Sequence, residues 1–241
     1  MKKQKKSGCH ICGGEFSEYD DRTGEVRTEF PEQYFGYVFP NEGVIEYEDW
    51  QFDFGYHRFL YNREFILEHQ LYFPKLIRFQ DPPFFVRAMI TAERFYAVKK
   101  VVYRYRYGHR ELKWTKEKRI DLLKGIYMDM EMAVQNHLER LVDLTWFRMM
   151  EEFGKIIFEG IIEKEKNTRE WIEKIYSILD KNRRERNGYP FYDRLIDEYR
   201  KKVETINVLE AGADAVKKTI TFRVGEILLY IPRSIKLVFF R

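Results

Sequence analysis

The hydrophobic and polar residues follow two different patterns along the chain, and the change falls near Thr115. Before it, short runs rich in β-branched and aromatic residues alternate with turn signals such as Gly13-Gly14 and Thr23-Gly24, which is typical of strands with a few short helices. After it, apolar residues recur three and four positions apart among charged ones, as in amphipathic helices. The pattern therefore predicts an α+β fold that ends in a mostly helical region.

The longest helical stripe predicts one continuous core-facing or coiled-coil-like helix over residues 120–141. Its apolar positions are Ile120, Leu123, Tyr127, Met130, Val134, His137 and Leu141. Further stripes follow at Phe147, Met150, Phe153 and Ile157, at Trp171, Ile175 and Leu179, and at Leu195, Tyr199 and Val203. The run Asn187-Gly188-Tyr189-Pro190 is typical of a helix stop and restart. Together these patterns predict a helical bundle or hairpin over residues 113–206.

The chain thus divides into three predicted regions, residues 1–112, 113–206 and a basic tail, 207–241. From Lys217 to Arg241 there are six basic residues and one acidic residue, so this segment carries a charge of +5 and the rest of the chain sums to −1. The apolar residues between these charges leave two interpretations open: a terminal helix that packs on the bundle, or an anchor on an anionic membrane surface. No basic patch with stacking aromatic residues recurs elsewhere, so nucleic acid is not an expected partner.

The composition indicates a folded protein, with 44% hydrophobic and 17% aromatic residues. Two cysteines, Cys9 and Cys12, cannot form a disulfide framework, and without a second cysteine pair the Cys-His-Ile-Cys run is predicted to be a buried strand, not a zinc site. No apolar run follows the N-terminal lysines, and residues 227–231 are too few to span a bilayer. We expect a cytoplasmic protein, peripheral on the inner membrane face if the tail is an anchor.

Residues 79–110 hold the candidate chemistry. Asp81 lies at the start of a predicted helix and precedes Pro82-Pro83, and His109 follows a predicted strand at 95–106. An aspartate N-cap accepts hydrogen bonds from free amides of the first turn, which by itself explains Asp81. The same position would hold an ionised carboxylate rigidly and direct it outward, as a general base requires.

Residues 54–74 and 79–110 together resemble the C-terminal half of family 2 glycosyltransferases, which have the glycosyltransferase-A fold. In that family a helix begins with an acidic pair or with Gln-Asp, here Gln80-Asp81, and an apolar helix and a strand such as FYAVKKVVYRYR follow. Two other segments add to the resemblance. HICGGEFSEYDDRTGEV resembles the strand and hairpin after the family's metal-binding motif, with the hairpin turn at Asp20 to Gly24, and FRVGEILLYIPRSIK resembles its closing segment.

The resemblance implies that residues 1–112 are the acceptor-side half of a bacterial enzyme that transfers a sugar from a nucleotide-sugar donor to a glycan or lipid-linked acceptor. Asp81 would be the base that deprotonates the acceptor hydroxyl, and Gln80 would bind the acceptor. Trp50, Tyr56 and Arg58 are expected acceptor contacts because aromatic faces stack on sugar rings, although core packing is expected for at least one of them.

Arg104, Arg106 and His109 follow Asp81 in the sequence and are candidates for binding the donor. Arg104 and Arg106 share a strand face, which either meets the donor phosphates or is simply solvated. His109 lies where some members place a metal or diphosphate ligand, although a lone histidine is also common on surfaces. In the family, Mn²⁺ or Mg²⁺ is held by an Asp-x-Asp motif at the end of the nucleotide-binding half, and the sequence has no such motif. Since one histidine cannot hold a hard cation, we expect the donor-binding half to be absent and this chain to be inactive alone.

A second hypothesis assigns the protein to another class, the non-catalytic interaction modules. The predicted helix over residues 120–141 would then mediate self-association or docking to a partner such as the donor-binding half. Light scattering distinguishes the two hypotheses, because a strict monomer that does not respond to an added donor-binding half would exclude the second.

Overall fold

The computed structural model describes residues 8–30, 37–109, 112–185, 204–205, 207–209 and 211–219. The chain divides into two compact units, Met1–Asn182 and Arg183–Arg241. The first combines a mixed sheet with helices, and the predicted α+β class is confirmed. In the second, residues 207–209 and 211–217 are helical. The predicted break at 187–190, the stripe of Leu195, Tyr199 and Val203, and the tail from residue 220 onward lie outside the described residues.

The sheet has five strands: β1 (Ile11–Asp20), β2 (Val26–Arg27), β3 (Gly43–Glu46), β4 (Phe59–Tyr61) and β5 (Arg94–Tyr107). Their order is β2-β1-β5-β3, and β4 pairs with β1. β1 and β5 are parallel, whereas the other three pairings are antiparallel. A parallel pair requires a long crossover connection, and the segment between β1 and β5 supplies it.

The helices are α1 (Tyr47–Trp50), α2 (Arg63–Glu68), α3 (Asp81–Ala92), α4 (Lys116–Gln135), α5 (Glu139–Phe147), α6 (Gly154–Ile162) and α7 (Lys166–Glu185). A 3₁₀ turn occupies Tyr56–Arg58, and a π-helical turn, Arg148–Glu152, joins α5 to α6. α3 leads directly into β5, as the sequence predicts.

Two local predictions near the N-terminus are confirmed. Cys9, Ile11 and Cys12 are buried at the start of β1. The hairpin turn also forms where predicted, since the Gly24 amide donates to the Asp20 carbonyl oxygen at 2.8 Å and Gly24 has a φ of +77°. Glycine suits that left-handed conformation because it has no Cβ.

The predicted continuous helix over residues 120–141 is wrong, because α4 ends at Gln135 and α5 begins at Glu139. The Asn136 side-chain amide donates to the Met132 carbonyl at 2.8 Å, and His137 has a left-handed backbone with a φ of 57°. Side-chain bonding to a terminal carbonyl followed by a left-handed residue is a common way to end a helix.

The buried face of α4 also differs from the predicted stripe. Leu122, Leu123, Ile126, Met130 and Ala133 are fully buried. By contrast, the predicted positions Ile120, Tyr127 and Val134 are half-buried. The true core face therefore lies about one position away from the stripe, and it packs against α3, α5 and α6.

Candidate functional site

A cavity of about 470 Å³ lies between the sheet, the start of α3 and the helices that follow α4. Its size is within the usual range for small-molecule sites. Charged side chains line it, namely Glu18, Arg78, Asp81, Arg148, Glu151 and Glu152. Aromatic rings form much of the remaining wall, namely Tyr37, Phe52, Phe54, Phe79, Tyr105, Phe147 and Phe153. Flat apolar surfaces next to polar groups suit a ring-shaped polar ligand.

Asp81 was predicted to be the N-cap of α3, but it is the first residue of the helix. The N-cap is Gln80. Pro82 and Pro83 occupy the first turn, where the absence of their N–H groups breaks no helix bond. The Asp81 carboxyl is half-buried and lines the cavity. Burial raises its pKa above the ordinary aspartate value, and Arg78 lowers it in part. Asp81 thus faces an enclosed space, and burial makes its carboxylate a stronger base.

Two other polar side chains approach Asp81, namely Arg78 from the loop before α3 and Tyr105 from β5. Burial raises the pKa of the Tyr105 phenol, Arg78 lowers it, and Asp81 raises it further. The guanidinium carbon of Arg78 lies 5.4 Å from the centre of the Trp114 ring. A donor, an acceptor and a phenol that interact electrostatically therefore line the same cavity.

The π-helical turn supplies three of the charged lining residues, Arg148, Glu151 and Glu152. Single π-helical turns occur frequently at functional sites because they redirect side chains. Arg148 donates through Nη1 to Oδ2 of Asp53 at 2.5 Å and through Nε to Oε2 of Glu152 at 2.7 Å. Its guanidinium also lies 4.9 Å from the centre of the Phe79 ring. These contacts neutralise Arg148 and hold it in one position.

Asp129 of α4 interacts electrostatically with the Arg148–Asp53 pair and is fully buried. Neither of its carboxyl oxygens has a hydrogen-bond partner within the described part of the chain. Burial, followed by the charge of Asp53, raises the pKa of Asp129 well above its ordinary value, while Arg148 lowers it in part. Burial also raises the pKa of Asp53, against the influence of Arg148. Burial and the neighbouring Asp53 charge therefore both favour the neutral form of the Asp129 carboxyl.

Two predicted acceptor contacts, Gln80 and Tyr56, lie near Asp81 without lining the cavity. Gln80 is half-buried and makes no side-chain cap bond. The Tyr56 ring packs with its centre 5.5 Å from that of Phe73, and burial and then Asp81 raise the pKa of its phenol. Both residues therefore surround the start of α3 rather than the cavity itself.

The other two predicted acceptor contacts, Trp50 and Arg58, belong to the aromatic core. Trp50 is 4% exposed, with its ring centre 5.1 Å from that of Phe95. Arg58 is 3% exposed, and its guanidinium lies 4.6 Å from the centre of the Phe39 ring. Burial lowers the pKa of Arg58 to about 9. Neither residue lines the cavity, so the expected role in acceptor binding is corrected to core packing.

The candidates for donor binding lie away from Asp81. Tyr105 faces the cavity, so its neighbours Arg104 and Arg106 point to the other side of β5, where both are exposed. Arg106 forms an ion pair with Asp21 at 2.7 Å. His109 is exposed beyond the end of β5 and does not line the cavity. The solvated-face interpretation therefore fits Arg104 and Arg106 better than phosphate binding beside Asp81.

The described residues do not fit the Mn²⁺ or Mg²⁺ that the resemblance implies. Across the described ranges, no group of three or more histidine, cysteine, aspartate or glutamate side chains is placed to hold a metal ion. Hard divalent cations need several oxygen ligands, and His109 offers one nitrogen. No step of the chemistry can therefore be assigned to a metal held by these residues.

The sequence-based predictions missed three residues that line the cavity, Arg78, Tyr105 and Arg148, and two buried carboxyls that interact with Arg148, Asp53 and Asp129. The available signal was a charged residue inside an otherwise apolar run, as in Phe52-Asp53-Phe54 and Phe147-Arg148-Met149. Asp129 gave a similar signal, because it is a charged residue among apolar residues on one face of a helix. Such residues are rarely buried unless they are paired or functional.

Comparisons with known proteins do not assign the chain to a family, since no family model and no curated protein matches it. In the described part of the chain, no helix is long and apolar enough to cross a membrane.

Proposed function

We propose that this chain is the acceptor-side part of a glycosyltransferase, and that the cavity binds the sugar that accepts the new residue. The observation that carries the proposal is the position of Asp81. Its carboxyl begins α3, lines a cavity rich in aromatic rings and has a pKa raised by burial. The resemblance of residues 54–74 and 79–110 to family 2 glycosyltransferases supports the same conclusion.

In the proposed reaction, Asp81 accepts the proton of the acceptor hydroxyl as that oxygen attacks the anomeric carbon of the donor sugar. The bond between the anomeric carbon and the diphosphate oxygen breaks, and its electron pair leaves with the nucleotide diphosphate. A base with a raised pKa and a fixed position suits this step. The aromatic rings would stack on the acceptor and exclude water from the reacting atoms.

The donor and its metal would be held by a nucleotide-binding part that carries the Asp-x-Asp motif. That motif is not in this sequence, and the described residues offer no substitute for it. We therefore expect the chain alone to bind acceptor sugars but not nucleotide sugars. Transfer would require the two parts together.

The alternative role as an oligomerisation module through residues 120–141 is less well supported. The apolar side chains of α4 that are most deeply buried, such as Leu122 and Ile126, face the interior of the same chain. A helix that covers its own core has little apolar surface left for a partner.

Saturation-transfer NMR with neutral monosaccharides and their methyl glycosides tests the proposal. We expect ring protons to be saturated by the wild-type chain. Phe147→Ala should weaken binding several-fold, because it removes one wall of the cavity while Phe147 is 47% exposed and contributes little to folding. Ile162→Ala is the matched control, since Ile162 is 59% exposed and does not line the cavity.

Two results would contradict the proposal. One is the absence of binding by every sugar in the panel. The other is Mn²⁺-dependent binding of a uridine diphosphate sugar by the chain alone, since that would place the donor site in this chain.

A further inference from the structure

Arg78 differs from Arg148, the other arginine in the wall of the cavity. It is half-buried, its Nε is enclosed, and within the described residues it makes no hydrogen bond or ion pair. Its closest ring contact is Trp114, 5.4 Å from the guanidinium carbon. A guanidinium stacked on an aromatic ring keeps a fixed plane while its donors remain available.

Arg148, the second arginine in the wall of the cavity, is by contrast neutralised by carboxylates. Arg148 donates to Asp53 and to Glu152, so both of those carboxylates are occupied. Glu18 is likewise 3.6 Å from Arg27. Arg78 is near enough to lower the pKa of Asp81, yet the two do not form an ion pair. Asp81 and Glu151 form no ion pair with a described residue either, so Arg78 is the arginine of this wall whose donors remain available to a ligand.

Resting on the proposed acceptor site, we propose that the ring compound taken by the cavity carries an anionic group, a carboxylate or a phosphate, whose oxygens accept hydrogen bonds from Arg78. The enclosed Nε–H of Arg78 has no partner among the described residues, which is destabilising, and a ligand oxyanion would satisfy it. The planar guanidinium matches the two oxygens of a carboxylate or phosphate. A hydroxyl of the same ring would then lie against Asp81.

An anion on Arg78 also suits the role of Asp81. Arg78 lowers the pKa of Asp81 while it is unpaired. Once a ligand anion neutralises Arg78, that influence weakens, and Asp81 becomes a stronger base. Arg78 is therefore a specificity-determining residue that couples recognition of the anion to the basicity of Asp81.

Isothermal titration calorimetry with four probes tests this inference: methyl glucoside, glucuronate, glucose 6-phosphate and inorganic phosphate. We expect the wild-type chain to bind glucuronate or glucose 6-phosphate about tenfold or more tightly than methyl glucoside. Comparison of the two anionic sugars distinguishes carboxylate from phosphate. Inorganic phosphate separates recognition of the anion from recognition of the ring.

Variants of Arg78 test whether this residue causes the preference for anionic sugars. Arg78→Gln should remove the preference, so that the variant binds glucuronate and glucose 6-phosphate no more tightly than methyl glucoside, because Gln keeps a donor but no charge. Arg78→Lys should retain part of the preference, which also covers the case in which Arg78→Gln fails to fold. Arg87→Gln is the matched control, since Arg87 is exposed on α3 and outside the cavity.

The outcomes separate the inference from the proposed function. Equal affinity for methyl glucoside and for both anionic sugars would overturn the inference and leave the sugar site standing. A preference for anions that persists in Arg78→Gln would also overturn it. Failure of every sugar to bind would overturn the proposed function. Inorganic phosphate binding that disappears in Arg78→Gln would support anion recognition by Arg78.

Discussion

Two clusters of buried charged side chains in the described part of the chain differ in how completely their polar groups are paired. In the first, Arg119 of α4 donates to Glu165 at 2.9 Å and to Glu163 at 2.7 Å, and Thr168 donates to Glu165 at 2.7 Å. In the second, around the cavity, Asp129 and the Nε of Arg78 have no hydrogen-bond partner among the described residues. We call these the Arg119 cluster and the cavity cluster.

The difference between the two clusters indicates whether a buried charge serves the fold or a ligand. A closed network such as the Arg119 cluster fixes helices against one another, and nothing is left over for a ligand. A cluster with partners missing is costly in the free protein, and it persists where a ligand or a reaction uses it. The predictions below test whether the first region is structural and the second functional.

The largest effect is expected from Arg119→Met. Removing Arg119 leaves the buried Glu165 carboxylate without its cation, which should lower the free energy of unfolding by about 3–5 kcal/mol, as measured by urea denaturation. Lys166→Met is the control: Lys166 is in an exposed pair with Glu170 at 3.7 Å and should change stability by less than about 1 kcal/mol. The double replacement of Arg119 and Glu165 by Met should recover much of the loss. A loss below about 1 kcal/mol in the single variant would mean that the cluster is not structural.

A smaller effect with the opposite sign is expected from Asp129→Asn. Burial and Asp53 raise the pKa of Asp129 in the folded state. The stability it contributes is therefore complete below its unfolded pKa and is lost as the pH rises through the folded pKa. Asparagine removes that dependence, so the variant should gain about 1–3 kcal/mol over the wild type near neutral pH and less in acid. Urea denaturation between pH 5 and 8 measures the difference, and a variant that is equally destabilised at every pH would contradict this account.

The smallest effect on stability is expected from Asp81→Asn. Asp81 makes no ion pair with a described residue, and its pKa is raised rather than lowered, so its charge does not stabilise the fold. The free energy of unfolding should change by less than about 0.5 kcal/mol. In an assay that supplies the donor-binding part, the transfer rate should nevertheless fall about 100-fold or more. A large loss of stability together with an unchanged rate would make Asp81 a structural cap.

The sequence predicted those elements whose start or turn is determined by residues within the element itself. Pro82 and Pro83 after Asp81 indicated the start of α3, and the β-rich run that follows indicated β5. Gly24 indicated the first hairpin. The end of α4 was missed because His137, a non-glycine residue, takes the left-handed conformation there, and the residue type gives no strong warning of it.

The site was predicted less well, because its partners are distant in sequence. Arg148 and Asp53 are 95 residues apart, and no pattern in a single sequence connects them. Trp50 and Arg58 were expected to contact a sugar, but neighbouring aromatic rings enclose them. For Arg104 and Arg106 the sequence left phosphate binding and a solvated strand face open, and the alternation along β5, which places Tyr105 at the cavity, favours the solvated face. Asp81 was the exception, since its helix start fixes it locally.

The central claim is that the opening beside Asp81 binds the ring of an acceptor sugar. The most direct test is a titration of the ¹³C- and ¹⁵N-labelled chain with glucuronate or methyl glucoside, whichever binds more tightly. NMR would follow the side-chain carboxyl carbons of Asp81 and Glu165. We predict that the Asp81 signal and its apparent pKa change with saturation, while the Glu165 signal in the Arg119 cluster does not. An unchanged Asp81 signal, or equal changes at both residues, would contradict the account.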